Sequence, residues 1–124
     1  MSYNIHITRA DFYFEDHNPI TLAEIEYMLE KLPKGFSINR SGRIIAMTPQ
    51  GEKISVNMGP YLMYEDKLDS GSRVYIYFDK NKCPWFSVTK EEDMIPIIEL
   101  AEIIHAKVQG DEGEIYTKES ILNS

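Results

Sequence analysis

Apolar and polar positions alternate with a period of two over much of the chain and follow a helical period in two places. Asn4–Arg9, NIHITR, alternates in this way and predicts a strand with Ile5 and Ile7 facing inward and His6 on the opposite face. A loop rich in aromatics and acids, DFYFEDHNP, comes next. Leu22, Ile25, Met28, Leu29 and Leu32 then share one face at helical spacing. Thr21 and Glu24 form a capping box, Ile20 can staple onto Ile25, and Pro33 and Gly35 end the helix. Between Phe36 and Thr89 the runs FSI, RIIAMT, KISVNMG, YLMY, RVYIYFD and WFSVT read as strands of a meander. Ser41–Gly42, Pro49–Gly51 and Asp79–Lys82 supply short turns, and residues 65–73 form a longer exposed loop.

A second helix is predicted from Asp93 to Ala106. Asp93 caps it and leaves Pro96 in the first turn, where a missing N–H costs nothing. Met94, Ile97, Ile98, Ala101 and Ile104 form its apolar face. The stretch VQGDEGEIY, residues 108–116, then reads as two short strands around a turn whose glycines, Gly110 and Gly113, both supply positive φ. Residues 1–124 thus predict one α+β domain. Its core is an antiparallel, meander-rich sheet of six to eight strands with two amphipathic helices packed on one face.

Charge alters this picture more than composition does. Residues 91–124 carry nine acids against two bases, so the whole net charge of −7 falls in the last third of the chain. Such a surface repels a phosphate backbone and speaks against nucleic-acid binding, while it would steer a basic protein inward. No apolar run reaches the ~20 residues of a membrane span. The N-terminus has no basic segment followed by an apolar one. The single cysteine, Cys83, forms no internal disulfide, and the expectation is a cytoplasmic protein.

Catalytic and metal-binding patterns are sparse. The acids of the 110–114 turn are too crowded for the alternating ligands of a calcium loop, and the three histidines share no zinc-ligand spacing. GxSxG, GxGxxG and P-loop signatures are absent, and Cys83 has only Lys82 beside it to lower its pKa. No catalytic residue, cofactor or metal is expected. An alternative is a small-molecule or catalytic site built from His6, Arg9, Asp11 and His17 near the first strand, which requires a concave pocket there. The bland alternative for His6 is a half-exposed strand histidine. In RVYIYFD, strand parity places Tyr75 and Tyr77 on one face and Val74, Ile76 and Phe78 on the other. If the helices cover the second face, the first displays tyrosines, which anchor protein interfaces. Loops, or a second subunit in a homodimer, could instead cover them.

The opening MSYNIHITRADFY and the closing AKVQGDEGEIY resemble a group of small bacterial proteins with an MSYxIxITRA start and a VQGDxGE finish. Members of that group generally have no assigned activity. In its acidity, size and lack of catalytic motifs the chain also resembles immunity proteins of contact-dependent inhibition and other polymorphic toxin systems. That resemblance implies one-to-one binding of a cognate toxin domain, a basic protein such as a nuclease, without catalysis. It carries over no individual residues. Charge and exposure therefore select the candidate contacts: Asp111, Glu112 and Glu114, then Glu91, Glu92 and Asp93, with Tyr75 and Tyr77.

Overall fold

Two strand-forming runs from opposite ends of the chain meet in the middle of the sheet. A computed structural model describes residues 4–32, 34–40, 43–57, 59–65, 73–78, 82–88 and 90–122. In it β1 (Ile5–Thr8) lies antiparallel between β7 (Trp85–Phe86) and β8 (Lys107–Gly110). β5 (Tyr61–Glu65) and β6 (Arg73–Tyr77) extend the sheet on one side and end at β2 (Phe36–Asn39). On the other side β9 (Ile115–Tyr116) pairs with β8, so the order is β2-β5-β6-β7-β1-β8-β9. The structure is α+β, and every pairing in it is antiparallel.

Each strand of this seven-stranded sheet turns one face to a single core. Ile5, Ile7, Leu62, Val74, Ile76, Phe86 and Val108 point to it and are buried with Met94, Ile97, Leu100 and Ile104 of the second helical segment. The expected inward set of β1 and of β6 is thus observed, and Tyr75 and Tyr77 lie half-buried on the other face.

The strand runs between Phe36 and Thr89 all form, but they are not one meander. β3 (Arg43–Met47) and β4 (Lys53–Asn57) leave the sheet as a separate hairpin, and β2 pairs directly with β5. Ile45 and Met47 lie on one face of the hairpin among Arg43, Lys53 and Ser55, and Ile54 and Val56 lie on the other beside Ala46. Ile45, Met47, Ile54 and Val56 are all exposed. The turns at 41–42 and 79–81 and most of the 65–73 loop lie outside the described residues.

The helices are shorter than their apolar spacing suggests. Thr21 accepts a hydrogen bond from the Glu24 N–H, as a cap should, and α1 runs over Leu22–Tyr27. A 3-10 turn at Leu29–Lys31 replaces its expected last turn. Leu32 is extended there (φ −78°, ψ 157°), the conformation a following proline imposes on its neighbour. Pro33 itself lies outside the described residues. Asp93 is not a cap. It sits in a 3-10 turn over Glu91–Met94, and α2 (Ile95–Ile103) starts from Met94 without a side-chain cap. Pro96 in the first turn reduces the number of donors needing one. A third helix, α3 (Lys118–Leu122), was not expected; Thr117 and Ser120 cap it reciprocally, and Ile121 buries its apolar side.

α2 ends where His105 adopts φ 58°, with the Ala106 N–H bonded to the Ala101 carbonyl and the His105 N–H to the Glu102 carbonyl. This is the 6→1 and 5→2 pattern that favours glycine at the left-handed position. Replacing His105 by glycine should remove the Cβ strain there. We expect a stability gain of about 0.5–1 kcal/mol after the added chain entropy of glycine is subtracted. Urea denaturation of the two proteins measures it; an unchanged or lower midpoint would mean that the histidine side chain compensates for the strain.

Candidate functional site

The face of the sheet opposite the core carries a row of side chains in lateral register. Strand pairing aligns Tyr61, Tyr77, Trp85, His6, Gln109 and Ile115 across six strands. Tyr61, Tyr75 and Tyr77 contact one another at ring-centroid distances of 5.4–6.5 Å, and Tyr77 meets Trp85 at 4.8 Å. Burial, then the fields of Tyr75 and Tyr61, push the Tyr77 hydroxyl above its ordinary pKa.

The acidic aromatic loop lies across one half of this face, and Gln109 holds it there. Its buried carboxamide accepts from the Tyr13 N–H (2.8 Å) and donates to the Asp11 and Gly113 carbonyls (3.1 and 3.2 Å). Tyr13 then stacks on the His6 ring, with centroids 3.6 Å apart and planes 4° from parallel. Thr8 donates to Asp16, and Cys83 donates to both Asp16 and the Tyr13 carbonyl. Burial opposes ionisation of Asp16, but bonds from Thr8, Asn18, Cys83 and Arg9 outweigh it and hold its pKa below the ordinary value.

Between loop and strands a pocket of about 440 Å³ remains. Asn4, His6, Tyr13, Phe14, Asp16, Lys82, Cys83 and Trp85 line it. The concavity required near the first strand is therefore present, but not with the expected residues. Of those four, His6 alone lines it. Arg9 turns away to bond the Ile104 carbonyl at the end of α2 through Nε and Nη2 (3.0 and 2.9 Å) and to pair with Glu24. It satisfies a helix terminus and joins both main helices to the end of β1. Asp11 and His17 are exposed outside the pocket lining. Cys83 is buried and free, and burial pushes its thiol up to about 11, the reverse of nucleophilic activation.

The turn of the 108–116 hairpin closes on Asp111-Glu112-Gly113. Gly113 bonds to the Gly110 carbonyl and Gly110 to the Glu114 carbonyl, so three residues form the loop and only Gly113 takes positive φ (91°). Gly110, expected to do the same, is a buried strand residue opposite Ile5. The 48–52 turn uses the same closure with Gly51 at φ 86°.

This turn does more than display charge. Asp111 accepts from the Asn4 N–H (3.0 Å) and from Nε2 of His6 (2.7 Å), and its carbonyl accepts from the Tyr13 hydroxyl. Glu114 accepts from the Glu112 N–H and from the Tyr116 hydroxyl. Burial, then Glu114, Glu91 and Glu112, push the Tyr116 hydroxyl above its ordinary pKa. The candidate contacts therefore fall into two groups. Glu91, Glu112 and Glu114 act on Tyr116, whose strand parity matches the core side, whereas Tyr75 and Tyr77 lie on the open face. Asp111 bridges the two regions through His6. Glu92 is exposed and Asp93 half-buried in the turn after Glu91.

Sequence reading passed over Phe12 and Phe14, 43% and 67% exposed on the loop crossing this face. Three aromatics in the four residues Asp11–Phe14, outside any element that packs a core, were the available signal. Among the described residues no group of three or more His, Cys, Asp or Glu side chains is arranged to hold a metal ion. No described helix is long and apolar enough to cross a membrane. No family model matches the chain, and neither a curated protein nor a solved structure matches it.

Replacing Gln109 by methionine keeps the volume and removes the two bonds that seat the loop and a third to the hairpin turn. The expected cost is about 1–3 kcal/mol, read from urea unfolding, with faster amide exchange at Tyr13. Unchanged exchange at Tyr13 would show that the remaining contacts, the His6 stack and the Thr8–Asp16 bond among them, hold the loop without Gln109.

Proposed function

We propose that this chain acts by binding a basic protein, in the manner of an immunity protein that neutralises a cognate toxin domain by one-to-one association. The supporting observation is the open face of the sheet. Tyr75, Tyr77 and Trp85 are half-buried there, and exposed Phe14 and Ile115 extend the surface on the far side of His6. Aromatic side chains of this kind contribute large contact area at small entropic cost when a partner desolvates them.

Charge supplies the second part of the reading. The face is flanked by the tip bearing Asp111, Glu112 and Glu114, in a segment, residues 91–124, of net charge −7. Such a field accelerates the encounter with a basic partner without each acid touching it. A toxin nuclease carries the positive surface that this field favours, because it must bind a phosphate backbone. Covering of the same face by a second copy would instead appear as a solution mass of twice the 14.4 kDa of one chain.

Reversing charge at Glu91 and Glu112, both exposed, tests the steering directly. With the captured partner, the double Glu→Lys variant should associate about tenfold more slowly at low salt. Its rate should also depend less on ionic strength between roughly 50 and 500 mM, a range over which screening goes from weak to strong. Identical rates and identical salt dependence for the two proteins would remove the electrostatic part of the proposal.

A further inference from the structure

The pocket under the Tyr13 loop combines features that the docking reading leaves unused. Its walls are aromatic: Trp85 on the sheet, Phe14 and Tyr13 on the loop, and the His6 ring stacked on Tyr13. Asp16 also lines it, and Asp111 stands behind His6. The loop itself adds Asp11 and Glu15, both exposed. Lys82, on the exposed rim, is the one lysine or arginine of the lining among the described residues.

A cavity lined by aromatic side chains and biased by carboxylates favours a cation, because the π-systems of Trp85, Phe14 and Tyr13 and the carboxylates act in the same direction. Among the described residues of the lining an anion would gain Lys82, a solvated ammonium on a flexible stem, and would meet the Asp16 carboxylate. A volume of about 440 Å³ accommodates one long side chain with its hydration, and the pocket adjoins the tyrosine row through Trp85. We propose that this pocket receives one arginine or lysine side chain of the protein partner, held between Phe14 and Trp85 and directed toward Asp16. The proposal rests on the docking reading for the source of the side chain, but the pocket's preference for a cation can be tested without the partner.

Trp85 is the only tryptophan, so its indole N–H gives a single, unambiguous NMR signal from inside the pocket. The probe is N-acetyl-arginine methylamide. N-acetyl-citrulline methylamide serves as its neutral isostere and N-acetyl-glutamate methylamide as an anion. The arginine probe should shift the indole signal saturably with a Kd of about 1 mM to 10 mM, and the other two should not. Phe14→Ala, at an exposed position outside the core, should weaken binding about two- to fivefold. Lys82→Gln, also exposed, should tighten it by a similar factor by removing a like charge.

Equal binding of arginine and citrulline probes would overturn the assignment. So would preference for the glutamate probe, lost in Lys82→Gln, or no indole shift with arginine at roughly tenfold above the expected Kd. Any of these outcomes leaves the tyrosine face untouched, since substitutions at Tyr75 and Tyr77 examine that surface separately. If the arginine probe binds but Phe14→Ala leaves partner affinity unchanged, the pocket is not where the partner's side chain enters, and the proposal fails on that point.

Discussion

The antiparallel seating of β1 between β7 and β8 is the constraint from which the rest of the molecule follows. Ile5 and His6 pair with both neighbours and Ile7 and Thr8 with β8, and the alternation of the four divides the protein into two sides. Ile5 and Ile7 close the core under α2, at 3% and 2% exposure. His6 and Thr8 face the other way and organise the loop that returns over them through Tyr13 and Asp16. Arg9, just beyond the strand, satisfies the last carbonyl of α2. A one-residue slip of β1 would exchange the two faces and break all three arrangements together.

The open side is polar where it is covered and aromatic where it is not. Among the described residues Gln109 and Thr8 are the buried polar ones, and both have hydrogen-bond partners in the loop above them. An unsatisfied group at either place would cost more than the loop gains, so these contacts fix the loop's position. What they leave uncovered is a band of rings from Tyr75 to Phe14, with a concave end at His6. Near that end lies the hairpin tip, where Asp111 links His6 and Asn4 to a locally negative surface. Under the proposed docking, the aromatic contacts and the charge steering would fall to different side chains, so the rate and the strength of association would depend on different residues.

Much of this was legible in the sequence, for local reasons. The Thr21 cap, the inward parity of Ile5 and Ile7, and the division of Tyr75 and Tyr77 from Val74 and Ile76 follow from periods of 3.6 and 2. The strand order was not legible, because β1 and β8 are about a hundred residues apart and nothing local selects that pairing. The same gap hid the His6–Asp111 contact, so two candidate sites that looked unrelated are physically joined. Thr117 and Ser120 show a cap whose following helix was too short to produce a visible period. The Asp93 cap failed differently: an acid in front of a proline-containing first turn fitted the rule, yet the chain spent it in a 3-10 turn.

The most direct measurement is a side-by-side capture from lysate of the organism that makes the protein. The baits are the native chain, a Tyr75→Arg/Tyr77→Arg variant and a Tyr27→Arg variant, each first shown to be folded. Tyr27, 92% exposed on α1, reports on the opposite side of the molecule. Docking through the open face predicts one basic protein, recovered in equimolar amount by the native chain and the Tyr27 variant and lost from the double variant. Equal recovery by all three baits, loss with Tyr27→Arg alone, or recovery of an acidic protein would contradict it.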